Sequence, residues 1–493
     1  MEKIAYISVH DKSGIAEFAH GLAELGYEVW SSGSTLKLLR QAEIDAGEVP
    51  DSVPLASEVV KALSGGGAAV EKPYLVACNL YPIAKIVRQD AFTLEELPDY
   101  LDVSNSAVMR AAARSFRDTA VVCDPSDYGA VLDALREFGG LPEERLRALA
   151  AKAWGYCAYY DATVAQYLSP SAAAALPPEL SMALKKVCGL SYGENRHQRA
   201  AFYSLSGARP WGLNAASILQ GFPLNLNHYL DLDCAFELAA EFEEPACAVV
   251  KHRSPCAVAC AANPAEAFRA AFRADPRGAF GGTAAFNRPV DAEAAQAISG
   301  ELVESVIAPE YSKEALEILR LREDLRITSM PSALLSAGEA GIHKVSGGLL
   351  IEESDSVTEP PAPRTVSKRK PSAIEYASLS LAWRAAKHAR TYAIALAQGQ
   401  ATVAIGSGQP STLDSFRLAA MKAKEKHPII DPHDPVVLAA DAPLPLNTVA
   451  EALNFGVKAI MQPGGWVEDA ACVELCDSKG AAMVFTGLRH VKH

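Results

Sequence analysis

The chain's 493 residues exceed what one ordinary hydrophobic core organises and fit roughly two to four domains. Hydrophobic residues make up 49% and charged residues 21%, close to ordinary soluble usage, which argues against a disordered or fibrous chain. The formal net charge of -13 argues against a nucleic-acid surface, because neutralising phosphates needs clustered Lys and Arg, but it leaves room for a local basic pocket around a small anion.

Residues 1–14 carry charge on both sides of a short apolar run and have no cleavage-site pattern, so they read as a first strand rather than a signal peptide. No uninterrupted apolar run reaches membrane-spanning length. The ten cysteines are scattered, mostly among apolar neighbours as at 75–78 and 121–123, which suits buried thiols in a reducing compartment and predicts a cytoplasmic protein. The spacings Cys256/Cys260 and Cys472/Cys476 lack the second pair a zinc site needs, so no metal is expected.

In chain order, 3–9 is a β-rich run, 14–25 carries apolar residues at helical spacing, 27–30 is strand-like and 35–40 is helical again. With 74–79 and 119–123 as further buried strands, this part reads as an open α/β domain that ends near the Ala/Pro-rich stretch 171–178. From about 181 onward, strand-like runs at 246–250, 283–286 and 305–307 alternate with helical patterns. A Pro-rich stretch at 359–363 can continue neither helix nor sheet and marks a second boundary. Beyond it come a helix at 373–389 and strands at 393–397, 402–405, 435–439 and 481–485, with no short-period repeat. The expected domains are 1–175, 181–362 and 363–493, all of α/β class.

Six segments carry candidate chemistry. At 30–35, Ser32, Gly33 and Thr35 lie between a strand and a helix, where small residues, hydroxyls and a helix N-terminus suit a phosphate. Ordinary capping by Ser34 or Thr35 accounts for that segment equally well. Ser8 and Lys12 leave the first strand at the carboxyl edge where open α/β sheets bind ligands. At 251–255, Lys251 and His252 follow a buried strand and point two titratable groups at a cleft edge. A Lys-His pair is common by chance; Lys387-His388 is expected on a helix surface, and without context a structural account of Lys251-His252 is favoured. Glycine clusters at 278–282 and 406–408 allow backbone approach to a flat ligand, and the C-terminus from 483 to 493 ends on alternating basic residues that suit either a site or a frayed tail.

The strings Leu-Ser-Tyr-Gly-Glu-Asn-Arg-His-Gln (190–198), Lys-His-Arg-Ser-Pro (251–255), Ala-Phe-Gly-Gly (279–282), Val-Ser-Gly-Gly-Leu-Leu (345–350), Ser-Lys-Arg-Lys-Pro (367–371) and Met-Val-Phe-Thr-Gly-Leu-Arg-His (483–490) resemble the transformylase part of the bifunctional purine-biosynthesis family. That family formylates the aminoimidazole carboxamide ribotide AICAR and closes the product to IMP. Upstream, Ser-Val-His-Asp-Lys-Ser-Gly (8–14), Asn-Leu-Tyr-Pro (79–82), Arg-Ala-Ala-Ala (110–113) and Asp-Pro-Ser-Asp-Tyr (124–128) resemble its IMP cyclohydrolase domain. The matches occur in the family's order and cover essentially the whole chain. The resemblance implies a methylglyoxal synthase-like open α/β domain followed by two cytidine deaminase-like α/β subdomains. It further implies 10-formyltetrahydrofolate as co-substrate, with formate as the alternative donor, and a homodimer with sites between subunits. Small molecules, AICAR and folate, would be its partners, with no nucleic acid and no membrane.

The family's reaction needs a base for a weakly nucleophilic amine and a stabiliser for a tetrahedral oxyanion. By resemblance His252 takes the amine proton, Lys251 stabilises the oxyanion, Arg489 holds the nucleotide phosphate and His493 contacts the carboxamide side. Glu304 stands where the family uses an acidic ribose ligand, and Tyr192, Gly281 and Tyr392 complete the substrate site. In the N-terminal domain Ser8, Lys12, Ser32, Gly33, Thr35, Asn79, Tyr81 and Asp102 are the expected nucleotide-binding set.

The chain also departs from the family. The Arg-Val-Lys-Thr-Leu-His-Pro loop has no counterpart between Thr35 and Asn79, Ile-Asp-Ile-Gly-Gly has become Leu-Asp-Val-Ser-Asn (101–105), and the proton-donating lysine is Arg114, which releases its proton too reluctantly. Ser191 and Thr412 replace arginines, Tyr392 replaces an asparagine, and Phe-Phe-Pro-Phe has become Pro-Leu-Pro-Leu (443–446). Each lost arginine near an anionic substrate costs about 1 to 3 kcal/mol unless Arg196 or Arg253 compensates. The leading expectation is therefore a formyltransferase whose N-terminal domain no longer closes the ring. The fully bifunctional enzyme and a catalytically silent nucleotide-binding paralogue are the alternatives.

Overall fold

The computed structural model describes residues 3–48, 55–68, 70–89, 91–169, 176–206, 211–331, 340–425 and 434–493. It divides into two compact units, Met1–Lys185 with Ser204–Arg209, and Lys186–Tyr203 with Pro210–His493. Of the stretch expected to end the first domain, 171–175 lies outside the described residues.

The first unit is built on five parallel strands in the order Ala46–Gly47, Tyr27–Ser31, Lys3–Ser8, Leu75–Cys78, Ala120–Val122. Strands such as Leu75–Cys78 are apolar throughout and buried throughout, as a parallel sheet covered on both faces requires. Phe18, Leu22, Leu39 and Val131 pack on one face, and Val59, Val108, Met109 and Ala153 on the other. The chain reverses its direction of travel across the sheet between Lys3–Ser8 and Leu75–Cys78, so a crevice opens at the carboxyl ends of those strands.

The second unit carries a continuous sheet of twelve strands. At its centre the hairpin Ala246–Lys251/Ser254–Cys260 lies antiparallel to the hairpin Ile394–Gln398/Ala401–Gly406, with Ala259 opposite Ala401. Outward from the first hairpin follow Thr283–Phe286, Ser305–Ala308, Arg326–Ser329 and Ser217–Gln220; outward from the second follow Val437–Ala440, Ala459–Gln462, Ala482–Phe485 and Arg364–Thr365. Each half has an antiparallel edge strand, then a helix (Leu226–Ala240 or Ala373–His388), then a hairpin, then three mutually parallel strands. This is a long-period duplication of topology that no short repeat in the sequence announces. The two halves separated by the stretch 359–363 share this one sheet.

Strand registers bring the chemistry to one edge of the sheet. Thr283 pairs with Val250 and Ser305, Ile394 with Gly406 and Ala440, and Met461 with Ala439 and Val484. The turn at 252–253, the starts of Thr283–Phe286 and Ser305–Ala308, and the ends of Ala401–Gly406, Val437–Ala440 and Ala482–Phe485 therefore line up.

Two expectations are corrected by packing. Lys387 and His388 are not on a helix surface: both side chains are about as buried as that of Glu241, whose Oε1 accepts Lys387 Nζ at 2.6 Å and His388 Nε2 at 2.8 Å. Burial by itself raises the Glu241 carboxyl, but the His388 hydrogen bond and the two neighbouring charges together bring it below its ordinary value. Gly406, expected to let backbone approach a ligand, instead lets backbone approach backbone: a Cβ there would sit 1.9 Å from the Ser415 carbonyl oxygen of helix Thr412–Glu425.

Candidate active site

Lys251 ends its strand with its side chain turned toward the neighbouring loop, where Nζ donates to the Phe280 carbonyl at 2.6 Å. That bond uses one of three ammonium donors and leaves the others free to face an oxyanion. Gly282, beside it, must be glycine, because a Cβ would lie 2.9 Å from the Val250 carbonyl oxygen. Gly281 has φ 67°, and its missing side chain opens the space in front of Lys251 Nζ. His252 and Arg253 form the hairpin turn with φ 56° and 58°, and His252 is exposed.

The helix Leu226–Ala240 gathers the neighbours of that turn. Asn225 caps it, and Asn225 Nδ2 donates to the Tyr192 hydroxyl at 2.6 Å, tying the 190–198 loop to the helix. His228, in the first turn, accepts the Asn225 N–H at Nδ1, which leaves its proton on Nε2, 3.6 Å from Glu304 Oε2. Burial and the Arg326 charge outweigh Glu304 and lower His228 to about 4, so it meets Glu304 as a neutral imidazole at neutral pH. One turn on, Asp231 accepts the backbone N–H groups of both His252 and Arg253, at 3.2 and 2.7 Å.

Tyr392, Arg489 and His493 line a cavity of about 730 Å3 together with Gln409, Thr412 and Trp466. Arg489 and His493 bring positive charge or hydrogen-bond capacity to a wall that also includes Tyr392, Trp466, Pro443 and Pro445, an arrangement for a flat polar ligand with an anionic end. Lys251 and His252 do not line this cavity. They adjoin it through Ser254, whose hydroxyl lies 3.2 Å from that of Ser407, next to the Gly408-Gln409 wall. Where the family's arginine is replaced, Thr412 is largely buried with its hydroxyl 3.2 Å from that of Thr448, so the position meets the cavity without a cation. Leu444 is likewise buried in the core. Beneath the cavity the buried Asp441 accepts the Ala393 N–H at 2.9 Å, and burial raises its carboxyl to about 6.

In the first unit the expected nucleotide-binding residues separate into two groups. Asn79 is buried, and its Oδ1 accepts the N–H groups of His10 and Asp11 at 2.6 and 2.9 Å while Nδ2 donates to the Asp11 carbonyl at 3.2 Å. The Thr35 hydroxyl both donates to and accepts from the Val9 backbone, at 3.1 and 3.3 Å. These two residues shape the loop that carries Lys12. Helix Gly33–Gln41 has Ser32 as N-cap with no side-chain cap bond, so capping by Ser34 or Thr35 does not explain the motif. Around the crevice itself stand Ser8, which donates to Asn105 Oδ1 at 2.9 Å, Asp102, which accepts from Asn105, Lys12, and the half-exposed Tyr81, whose ring lies 4.3 Å from that of His10.

Sequence reasoning missed His228, Asp231, Gln409 and Trp466. The Asn225…His228 spacing is a capping signal that reads ahead of the helix, but nothing local ties Asp231 to a turn 21 residues away. Among the described residues no group of three or more His, Cys, Asp or Glu could hold a metal ion, and no helix is long and apolar enough to cross a membrane.

Comparison with known proteins bears on these residues. The family model described as AICARFT/IMPCHase bienzyme matches residues 112–422. Proteins named bifunctional purine biosynthesis protein PurH are similar over their full length and the whole of this chain, at 36% identity in a Thermoanaerobacter species, 36% in Anoxybacillus flavithermus and 35% in Persephonella marina. A solved structure described as that of ForH is similar at 28% identity over 34% of this chain and 98% of its own, with a TM-score of 0.30, too slight a likeness to inform the fold. With a family model spanning most of the chain and relatives matched from end to end, this protein belongs to the bifunctional PurH family of purine biosynthesis.

Proposed function

We propose that the chain transfers a formyl group from 10-formyltetrahydrofolate to the 5-amine of AICAR, and that its N-terminal unit binds a purine nucleotide without closing the ring to IMP. The observation that carries the reading is the corner where exposed His252 and Lys251 stand beside Gly281, next to the cavity of Tyr392, Arg489 and His493. The amine attacks the formyl carbon and its proton passes to His252. Lys251 faces the tetrahedral oxyanion, which collapses as the C–N10 bond breaks and the proton held by His252 passes to the departing folate N10, leaving the formamide and tetrahydrofolate. Arg489 pairs with the nucleotide phosphate, and Glu304 takes the ribose hydroxyls with neutral His228 behind it. Domains at 1–175, 181–362 and 363–493, with a methylglyoxal synthase-like fold first and two deaminase-like subdomains after it, a cytoplasmic homodimer and no metal complete this reading.

The fully bifunctional alternative draws support from one feature: Lys12, Tyr81 and Asp102 still surround the crevice of the first unit. The test is an assay with AICAR and 10-formyltetrahydrofolate that follows tetrahydrofolate and IMP separately. Tetrahydrofolate with formyl-AICAR accumulating supports the proposal, stoichiometric IMP supports the alternative, and neither product, with retained nucleotide binding, leaves a silent paralogue.

A further inference from the structure

The hairpin that carries the Lys-His pair closes on two left-handed residues in succession, His252 and Arg253. That turn suits the right-handed twist of a hairpin, and the residues that adopt it readily are Asn, Asp and Gly. A residue with an ordinary side chain is strained there, so this turn needs an anchor outside its own strands. Consecutive N–H groups in such a turn converge on one side and form a concavity that takes an anion. The anion here is a side chain of the protein: Asp231 Oδ2 accepts the His252 N–H at 3.2 Å and Oδ1 accepts the Arg253 N–H at 2.7 Å. One helical turn later Cys234 Sγ contacts the Arg253 carbonyl at 3.7 Å, so a single face of Leu226–Ala240 grips the turn from both ends. The first turn of that helix is itself fixed by the reciprocal Asn225–His228 capping box.

We infer that Asp231 is a positioning residue for formyl transfer: by holding the His252–Arg253 turn in its left-handed form, its carboxylate fixes the direction of the His252 imidazole beside Lys251. The inference rests on the function proposed above. Asp231 touches neither substrate nor reacting atoms; it acts through the backbone of the base.

The test uses the full-length chain as Asp231→Asn, Asp231→Ala, Arg253→Gly and the double variant Asp231→Ala/Arg253→Gly, with kcat and KM for AICAR measured alongside amide hydrogen exchange at the turn. In Asp231→Asn one carboxylate oxygen becomes an NH2 that opposes a turn N–H, so exchange at His252 and Arg253 accelerates. The kcat falls roughly ten- to a hundredfold, as misplacement of a catalytic group commonly does, while KM for AICAR changes by less than about threefold. Glycine at 253 removes much of the left-handed penalty, so losing Asp231 costs a smaller factor in kcat in that background than in the wild type. If the single Asp231 variants do not fold, the comparison of Arg253→Gly with the double variant decides. Faster exchange with wild-type kcat overturns the positioning role, as does an equal loss of kcat in both backgrounds. A wild-type chain that transfers no formyl group overturns the function and this role together, whereas an active wild type with an equally active Asp231→Asn variant overturns this role alone.

Discussion

The hydroxyls of Ser254 and Ser407, 153 residues apart in the chain, meet at 3.2 Å. Ser254 opens the strand after the His252–Arg253 turn, and Ser407 precedes the Gly408-Gln409 wall of the cavity that Tyr392, Arg489 and His493 line. Antiparallel pairing of the two central hairpins makes the contact, so the duplicated halves supply one edge of one sheet rather than two independent sites. The Lys251–His252 turn and the cavity residues Tyr392, Arg489 and His493 thus come from different halves, which makes the contributions proposed for them separable by mutation.

Arg489→Ala is expected to act on binding. The guanidinium lies on the cavity wall, and the role proposed for it is to hold the phosphate without taking part in the chemistry, so its loss should remove an interaction made equally in ground and transition states. KM for AICAR should rise about ten- to a hundredfold, the worth of one charge-assisted contact to phosphate, with kcat largely kept. Tyr392→Ala should raise KM in the same direction but less. Unchanged KM in both variants would remove this cavity from the nucleotide site.

The chain should not convert formyl-AICAR to IMP. Of the crevice residues in the first unit, Asn79 and Thr35 are occupied by the backbone of the loop that carries Lys12, and Arg114 is exposed and cannot easily give up a proton. Lys12, Tyr81 and Asp102 are left to bind. Calorimetric titration with IMP should therefore detect a site that Lys12→Ala weakens, while purified formyl-AICAR incubated with the protein stays uncyclised by chromatography.

Much of this architecture is legible in the sequence, and the limits have physical causes. Strands such as Ala246–Lys251 and Thr283–Phe286 stand out because they are apolar on both faces and bounded by polar or glycine residues. The strand Ser254–Cys260 does not, because the turn before it lacks the Asn or Gly that usually marks a hairpin. The reason it can lack them is Asp231, which stands in another element. Lys387-His388 looks solvated for the same kind of reason: the carboxylate that allows its burial, Glu241, is 146 and 147 residues distant in the chain. Local composition registers periodicity, whereas the partner that makes a charge buriable or a turn tolerable is set by tertiary contact.

That buried carboxylate gives a pH-dependent prediction. Glu241 is held below its ordinary 4.5, so its contribution to stability is complete above that value and is lost as the pH falls through the lower folded-state value. Glu241→Gln leaves the Lys387 and His388 side chains buried without their anion and should destabilise the second unit by about 3–5 kcal/mol at neutral pH. Urea unfolding at pH 7 and pH 4 measures both effects: the gap between wild type and variant should narrow toward acid. A gap that is small at pH 7, or that widens in acid, would mean the pair is screened by solvent.

The reaction itself is tested most directly at the Lys-His pair. His252→Ala removes the group proposed to take the amine proton and should lower kcat by roughly a hundredfold or more, the usual worth of a general base, with a much smaller change in KM for AICAR. Lys251→Ala removes the ammonium that Phe280 aims and should lower kcat by a comparable factor through the oxyanion. Because both groups serve one transition state, the double variant should be far less impaired than the product of the two single losses. Steady-state formylation of AICAR by the three proteins, with folding checked by circular dichroism, measures all of this. Near wild-type turnover in His252→Ala would make the turn an architectural strand end, and the chemistry would have to lie wholly within the Tyr392, Arg489 and His493 cavity.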